Sequence, residues 1–296
     1  MSPIGPSSCC CPKHVYSKQG DAKIIKCDVA GNIAWRSAVP YGSFDMDRIG
    51  GTLYAMGGSH NIDALDPSGT ATTIATYSGT YTGTELRVCN ANGTVFFIAS
   101  SSGHNAHFLF SMALNGSGLA LLCDVSTFTG NNCTVQGIAQ HADTGKIYVT
   151  AWFATISSLD AYILEIAAGG GSATTLLHTT SSSSVYAAPK TLDIDYAGSL
   201  LCWGQDTTFG LAGKLHTCSL TGSGLATYTY GDTVQMGSLQ VNNLDRLIYY
   251  FLGTSGGTGR TITTSGSSDT QFANAIQNGA GRLAEDWPTD GHYGTS

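Results

Sequence analysis

Val135 to Trp152, VQGIAQHADTGKIYVTAW, carries the pattern from which the architecture follows. Val135–His141 reads as a strand, Asp143, Thr144 and Gly145 as a tight turn, and Lys146–Trp152 as a second strand. A lone hairpin cannot bury its apolar face in water, so this one predicts a larger sheet and further copies of itself.

Copies are present throughout. FDMDRIGGTLYAMG (44–57), LRVCNANGTVFFIA (86–99), IAQHADTGKIYVTA (138–151), LDIDYAGSLLCWG (192–204) and LQVNNLDRLIYYFL (239–252) share the design, and matching Asp47, Cys89, His141, Asp195 and Asn242 gives steps of 42, 52, 54 and 47 residues. Between these inner hairpins lies a second series. KIIKCDVAGNIAWRSA (23–38), HNIDALDPSGTATTIAT (60–76), HFLFSMALNGSGLALLCD (107–124), AYILEIAAGGGSATTLLH (161–178), KLHTCSLTGSGLATYTY (214–230) and RTITTSGSSDTQFA (260–273) each read as strand, turn, strand. One inner plus one outer hairpin makes four antiparallel strands in about 40–55 residues, the repeat of a β-propeller blade.

The expected fold is therefore all-β, a propeller of four-stranded antiparallel blades. It has five complete units plus an N-terminal outer hairpin, so six blades are expected, with five as the alternative. Residues 1–20 are expected to form an extended arm, 21–274 the propeller, and 275–296 a tail that closes the ring or contacts a partner. Within that tail only Arg282–Trp287 resembles part of a strand.

Composition narrows the function classes. Of the 296 residues only 11% are charged, against about 25% in ordinary soluble proteins. Hydroxyls and amides must cover much of the surface. The net charge is −7 and no basic run occurs, which argues against nucleic-acid binding. No apolar run approaches the ~18–20 residues of a membrane-spanning helix. MSPIGPSSCCCPKHVYSKQG lacks the charged-then-apolar layout of a secretory signal.

GIAQHADTGKIYVTA resembles the repeat of low-density-lipoprotein-receptor-type six-bladed propellers through Gly137, Ile138, Ala139, Gly145, Lys146, Ile147, Tyr148 and Thr150, although the family's closing Asp is replaced by Ala151. KIIKCDVAGNIAWRSAV is similar to the quinoprotein-type repeat at Trp35, but the glutamate, asparagine and calcium cluster of a quinone site does not assemble, and no cofactor is expected. The broader resemblance is to propellers of tailed-phage particles, with their Ser/Thr/Gly-rich repeats, few charges and irregular N-terminal arm. It implies a non-enzymatic structural or adhesion component of a virion. Other virion proteins or copies of the chain would be its partners, with a host-surface glycan or protein as a further one. The alternative is a secreted propeller that binds or cleaves carbohydrate.

Candidate site residues follow from this architecture. Loops joining inner to outer hairpins cluster at one end of a propeller, and they carry His60, His104, His107, Phe153, Asp206 and Phe209, a candidate ligand- or partner-binding face. Three histidines suggest zinc, but solvated loop side chains are the reading adopted and no metal is expected. Cys9, Cys10, Cys11 and His14 belong to the assembly arm. Adjacent cysteines cannot easily face one ion. Cys123 and Cys133 flank the loop DVSTFTGNN and could form a disulfide across it. Asp45 with Asp47, and Asp193 with Asp195, project in pairs from one side of a strand. Paired carboxylates suit glycoside hydrolysis or calcium, but their repetition beside turns favours backbone capping.

Overall fold

The computed structural model describes residues 14–18, 21–28, 32–47, 49–58, 60–90, 92–101, 107–129, 133–154, 158–182, 188–205, 213–229, 236–243, 246–252, 257–276 and 284–285. These build six four-stranded antiparallel sheets. Blade 1 holds β1 (His14–Lys18), β2 (Ile24–Asp28) and β3 (Ile33–Arg36). Blade 2 holds β4 (Tyr41–Asp47), β5 (Thr52–Gly57), β6 (Asn61–Leu65) and β7 (Ala71–Thr76). Blade 3 holds β8 (Tyr81–Cys89), β9 (Thr94–Ser101), β10 (His107–Ala113) and β11 (Ala120–Asp124), followed by a single helical turn, α1 (Ser126–Thr129). Blade 4 holds β12 (Thr134–Gln140), β13 (Ile147–Ala154), β14 (Ser158–Ile166) and β15 (Thr174–Ser182). Blade 5 holds β16 (Pro189–Asp195), β17 (Leu200–Gln205), β18 (Lys214–Ser219) and β19 (Ala226–Thr229). Blade 6 holds β20 (Met236–Asn242), β21 (Leu247–Leu252), β22 (Gly257–Thr263) and β23 (Thr270–Ile276), and β24 (Ala284–Glu285) ends the series.

Each inner and outer hairpin read from the sequence is present. The ring closes as six blades, because β24 pairs with β1 (Val15 opposite Glu285, Tyr16 opposite Ala284) and becomes the innermost strand of blade 1. Both chain ends thus share one sheet. One expectation needs correction here. The arm does not extend unbroken to residue 20, since His14–Lys18 is the second strand of blade 1. Tyr16 is the reason: its ring is buried against Trp35, at 5.8 Å between centroids, and fixes which face of the short strand turns inward. The two innermost strands of that blade come one from each end of the chain.

Burial follows the ring. The core is a series of apolar slabs between blades. Tyr16, Ile24, Phe44 and Leu53 join blades 1 and 2, and Met56, Tyr77, Leu86 and Phe97 join 2 and 3. Ile98, Cys123, Cys133 and Val149 join 3 and 4, Tyr148, Leu192 and Trp203 join 4 and 5, and Leu215, Leu239 and Tyr250 join 5 and 6. Cys123 and Cys133 are both buried in one slab, and the possible disulfide between them is not formed. Each packs as a small apolar group, and burial pushes the Cys123 thiol above its usual range.

A second repeated contact locks the rim. The outer turn of each of blades 2 to 6 sits on the outermost strand of the preceding blade: Gly69 on Trp35, Gly116 on Ile74, Gly170 on Leu122, Gly222 on Leu176 and Gly266 on Tyr228. Trp35 also donates its indole N–H to the Pro67 carbonyl at 3.1 Å. The lone tryptophan of the outer hairpins is thus a blade-to-blade wedge.

Candidate functional site

In a four-stranded blade the innermost strands face the central channel, and their alternating side chains set its chemistry. Successive innermost strands β4, β8, β12, β16 and β20 touch in ring order. Their inward positions carry Asp45, Glu85, Arg87, Gln136, Thr191, Asp193 and Gln240. Strands of this kind pass for half-exposed ones in the sequence.

The acidic pairs have divided roles. Asp45 accepts the Val88 N–H at 2.9 Å and Asp193 the Val241 N–H at 2.8 Å, so the first member of each pair stitches its blade to the next. Asp47 accepts the Ile49 N–H at 2.9 Å and Asp195 the Gly198 N–H at 2.9 Å, so the second caps its own turn. Asp195 is fully buried and also binds Arg246 at 2.8 Å. All four carboxylates serve the backbone. Among the described residues, no three His, Cys, Asp or Glu side chains gather as a metal site.

Arg87 divides the channel. From β8 its guanidinium reaches across to the carbonyls of Leu192 and Leu239, each at 3.4 Å, on blades 5 and 6. Its charge is met by Asp45 at 3.9 Å and Glu85 at 3.8 Å. On one side of it lies a small space of about 50 Å³ bordered by Asp45, Asn90, Gln140, Asp193, Tyr196 and Asn243, whose polar groups are bonded to one another or to neighbouring strands. The other side, where the innermost strands begin, holds a cup of about 210 Å³ lined by Thr84, Glu85, His107, Thr134, Gln136 and Thr191 among others. Antiparallel connectivity puts the ends of the second strands and the starts of the third strands at this same end.

His107 is therefore a predicted loop-face residue that does line the channel. It is 7% exposed at the start of β10, and burial lowers its pKa, partly offset by its hydrogen bond to the backbone of Cys133. The other described candidates do not join it. His60 stands at a left-handed position (φ +62°) with its ring edge against Tyr77, 5.7 Å between centroids. Phe153 is half-buried on β13 opposite Asp160 and does not border the cup. His14 lies on β1. His104, Asp206, Phe209, Cys9, Cys10 and Cys11 lie outside the described residues. Glu85, Arg87, Gln136 and Thr191 were missed by the loop-based reading. Their signal was polar side chains two apart on innermost strands, as in Glu85-Leu86-Arg87.

No protein-family model and no curated relative matches the chain. Solved structures of similar shape do exist. A chain of the nidogen/laminin complex superposes with a TM-score of 0.65 over 93% of this chain and 99% of that one, at 15% identity. An oligogalacturonate lyase in complex with manganese gives 0.54 over 88% and 72%, at 11% identity. The GH74 enzyme of Niastella koreensis gives 0.55 over 88% of this chain and 45% of that one, at 15% identity. These likenesses establish the propeller fold, which hosts enzymes and binding proteins alike.

Proposed function

We propose that the chain is a non-enzymatic structural or adhesion component of a phage-like particle. It packs among copies of itself or other particle proteins and turns its loop face toward a host-surface glycan or protein. The observation that carries this reading is the rim. The outermost strands β3, β7, β11, β15, β19 and β23 hold only Arg36 and Asp124 as charged residues. Solitary β-proteins usually guard such edges with charge. Ile33 and Leu121 are 52% and 54% exposed there, and Leu119 and Leu225 stand beside them. Five of the six outer pairings carry a register shift, which bends the edge against open-ended strand addition. An almost uncharged, bent edge of this kind supports lateral packing against neighbouring subunits.

The low charge has a local cause too. Outer turns satisfy their backbones with hydroxyls, as where Ser219 accepts the Ser223 N–H at 3.1 Å and Thr263 the Ser267 N–H at 3.0 Å. Such turns need no Lys or Glu. Sedimentation of lysates from cells producing the particles tests the proposal: the protein is expected in the particle fraction, decorated in place by an antibody against it. A solitary monomer that turns over a small substrate would refute it.

A further inference from the structure

We infer that the loop-face cup of the central channel binds a neutral polyhydroxylated ligand, a single sugar residue in size, through His107, Gln136 and Thr191. This deepens the loop-face reading above, on which it rests, by naming the ligand class.

Three buried polar atoms on three blades carry the inference: His107 Nδ1 on blade 3, Gln136 Oε1 on blade 4 and Thr191 Oγ1 on blade 5 have no hydrogen-bond partner. Thr191 is 5% and His107 7% exposed. Leaving such atoms unmet is costly, and native interiors rarely do so. All three residues line the same cavity of about 210 Å³, where one buried water needs only about 10–15 Å³. The far side of Arg87 is the internal control. There the space is about 50 Å³, and Gln140, Tyr196 and Asn243 are each held by hydrogen bonds.

The donor and acceptor pattern selects the ligand. His107 donates through its other ring nitrogen to the Cys133 backbone, which leaves Nδ1 as an acceptor in the neutral ring. Gln136 Oε1 accepts, and the Thr191 hydroxyl can do either. The ligand must bring several O–H groups that both give and take hydrogen bonds. The formally charged residues that line the cup are one of each sign, Glu85 and Lys190, so neither an anion nor a cation is favoured. A neutral sugar fits both conditions.

The test uses the full chain, titrated with glucose, galactose, mannose and N-acetylglucosamine, with glucuronate and inorganic phosphate as charged comparators. Ligand-observed NMR and calorimetry supply the readouts. At least one neutral sugar should saturate with a Kd on the order of 1 mM or tighter. Thr191→Val removes the hydroxyl and Gln136→Leu the whole carboxamide at similar volume, and each should weaken binding about 3–10-fold. Thr191→Val should melt no lower than the parent when ligand is absent, because the hydroxyl removed had no partner. Absence of saturable binding by every neutral sugar, preference for glucuronate or phosphate, or binding indifferent to both variants would overturn the inference. Particle association that survives those outcomes removes the cup alone; sugar binding by a solitary monomer removes only the particle role.

Discussion

Gly222 and Gly224 lie two residues apart in one outer turn and should respond very differently to the same substitution. Both take left-handed backbone, φ +78° and +67°. Alanine there costs about 1–2 kcal/mol of backbone strain, less about 0.5–1 kcal/mol regained from a stiffer unfolded chain. A Cβ on Gly224 meets nothing within 4 Å, so Gly224→Ala should cost only about 1 kcal/mol. A Cβ on Gly222 would lie 2.4 Å from the Leu176 carbonyl oxygen of the preceding blade. That partner is backbone and cannot swing away. The turn would have to lift by about an ångström to restore ordinary contact, adding an overpacking cost of about 1–3 kcal/mol. Gly222→Ala should thus cost about 3 kcal/mol in all. Denaturant unfolding of both variants beside the parent measures this, and thermal melts should show the Gly222 variant lower than the parent by roughly 5 °C. Losses that agree within about 0.5 kcal/mol would refute the claim that blade-to-blade docking, rather than turn conformation alone, requires this glycine.

Three further outcomes are expected. His216 is stacked on Trp203, 5.3 Å between centroids and 17° between planes, and burial holds its pKa down to about 4. The unfolded chain therefore takes up a proton near pH 6.5 that the folded chain refuses, so stability is complete above pH 6.5 and falls by about 3 kcal/mol on acidification toward pH 4; His216→Gln should flatten this part of the unfolding free energy against pH, and an unchanged slope would count against it. Arg87→Met strips Glu85 and Asp45 of their countercharge and should cost about 3 kcal/mol, while Arg87→Met combined with Glu85→Gln should cost less than the single change, as a double-mutant cycle in urea will read. Deleting residues 284–296 removes β24 from the edge of β1, so the truncated chain should melt lower and lose its N-terminal segment to limited proteolysis first; equal resistance would mean that the pairing contributes little.

The repeat was legible because hairpins are local. Asp143-Thr144-Gly145 turns its strands through contacts within a few residues, and the same logic held for each inner and outer pair. The capping by Asp47 and Asp195 was legible for the same reason. Less visible was β1, because five residues after a Pro- and Cys-rich stretch carry little periodicity until Tyr16 meets Trp35. The cysteine spacing of 123 and 133 suggested a bridge that the fold replaces with apolar packing. His107 was singled out as a loop histidine, although its place in the channel depends on neighbours from other blades.

By itself, then, the sequence determined blade composition, strand order and turn chemistry, all consequences of short-range periodicity and steric preference. Folding was needed to bring the two ends into one blade, to set Arg87 across the channel, and to gather Glu85, His107, Gln136 and Thr191 in one cup. The reason is closure. A polar residue on an innermost strand has the same local pattern whether it faces solvent or a channel, and that difference is fixed only when strands about 50 residues apart are brought around a common axis.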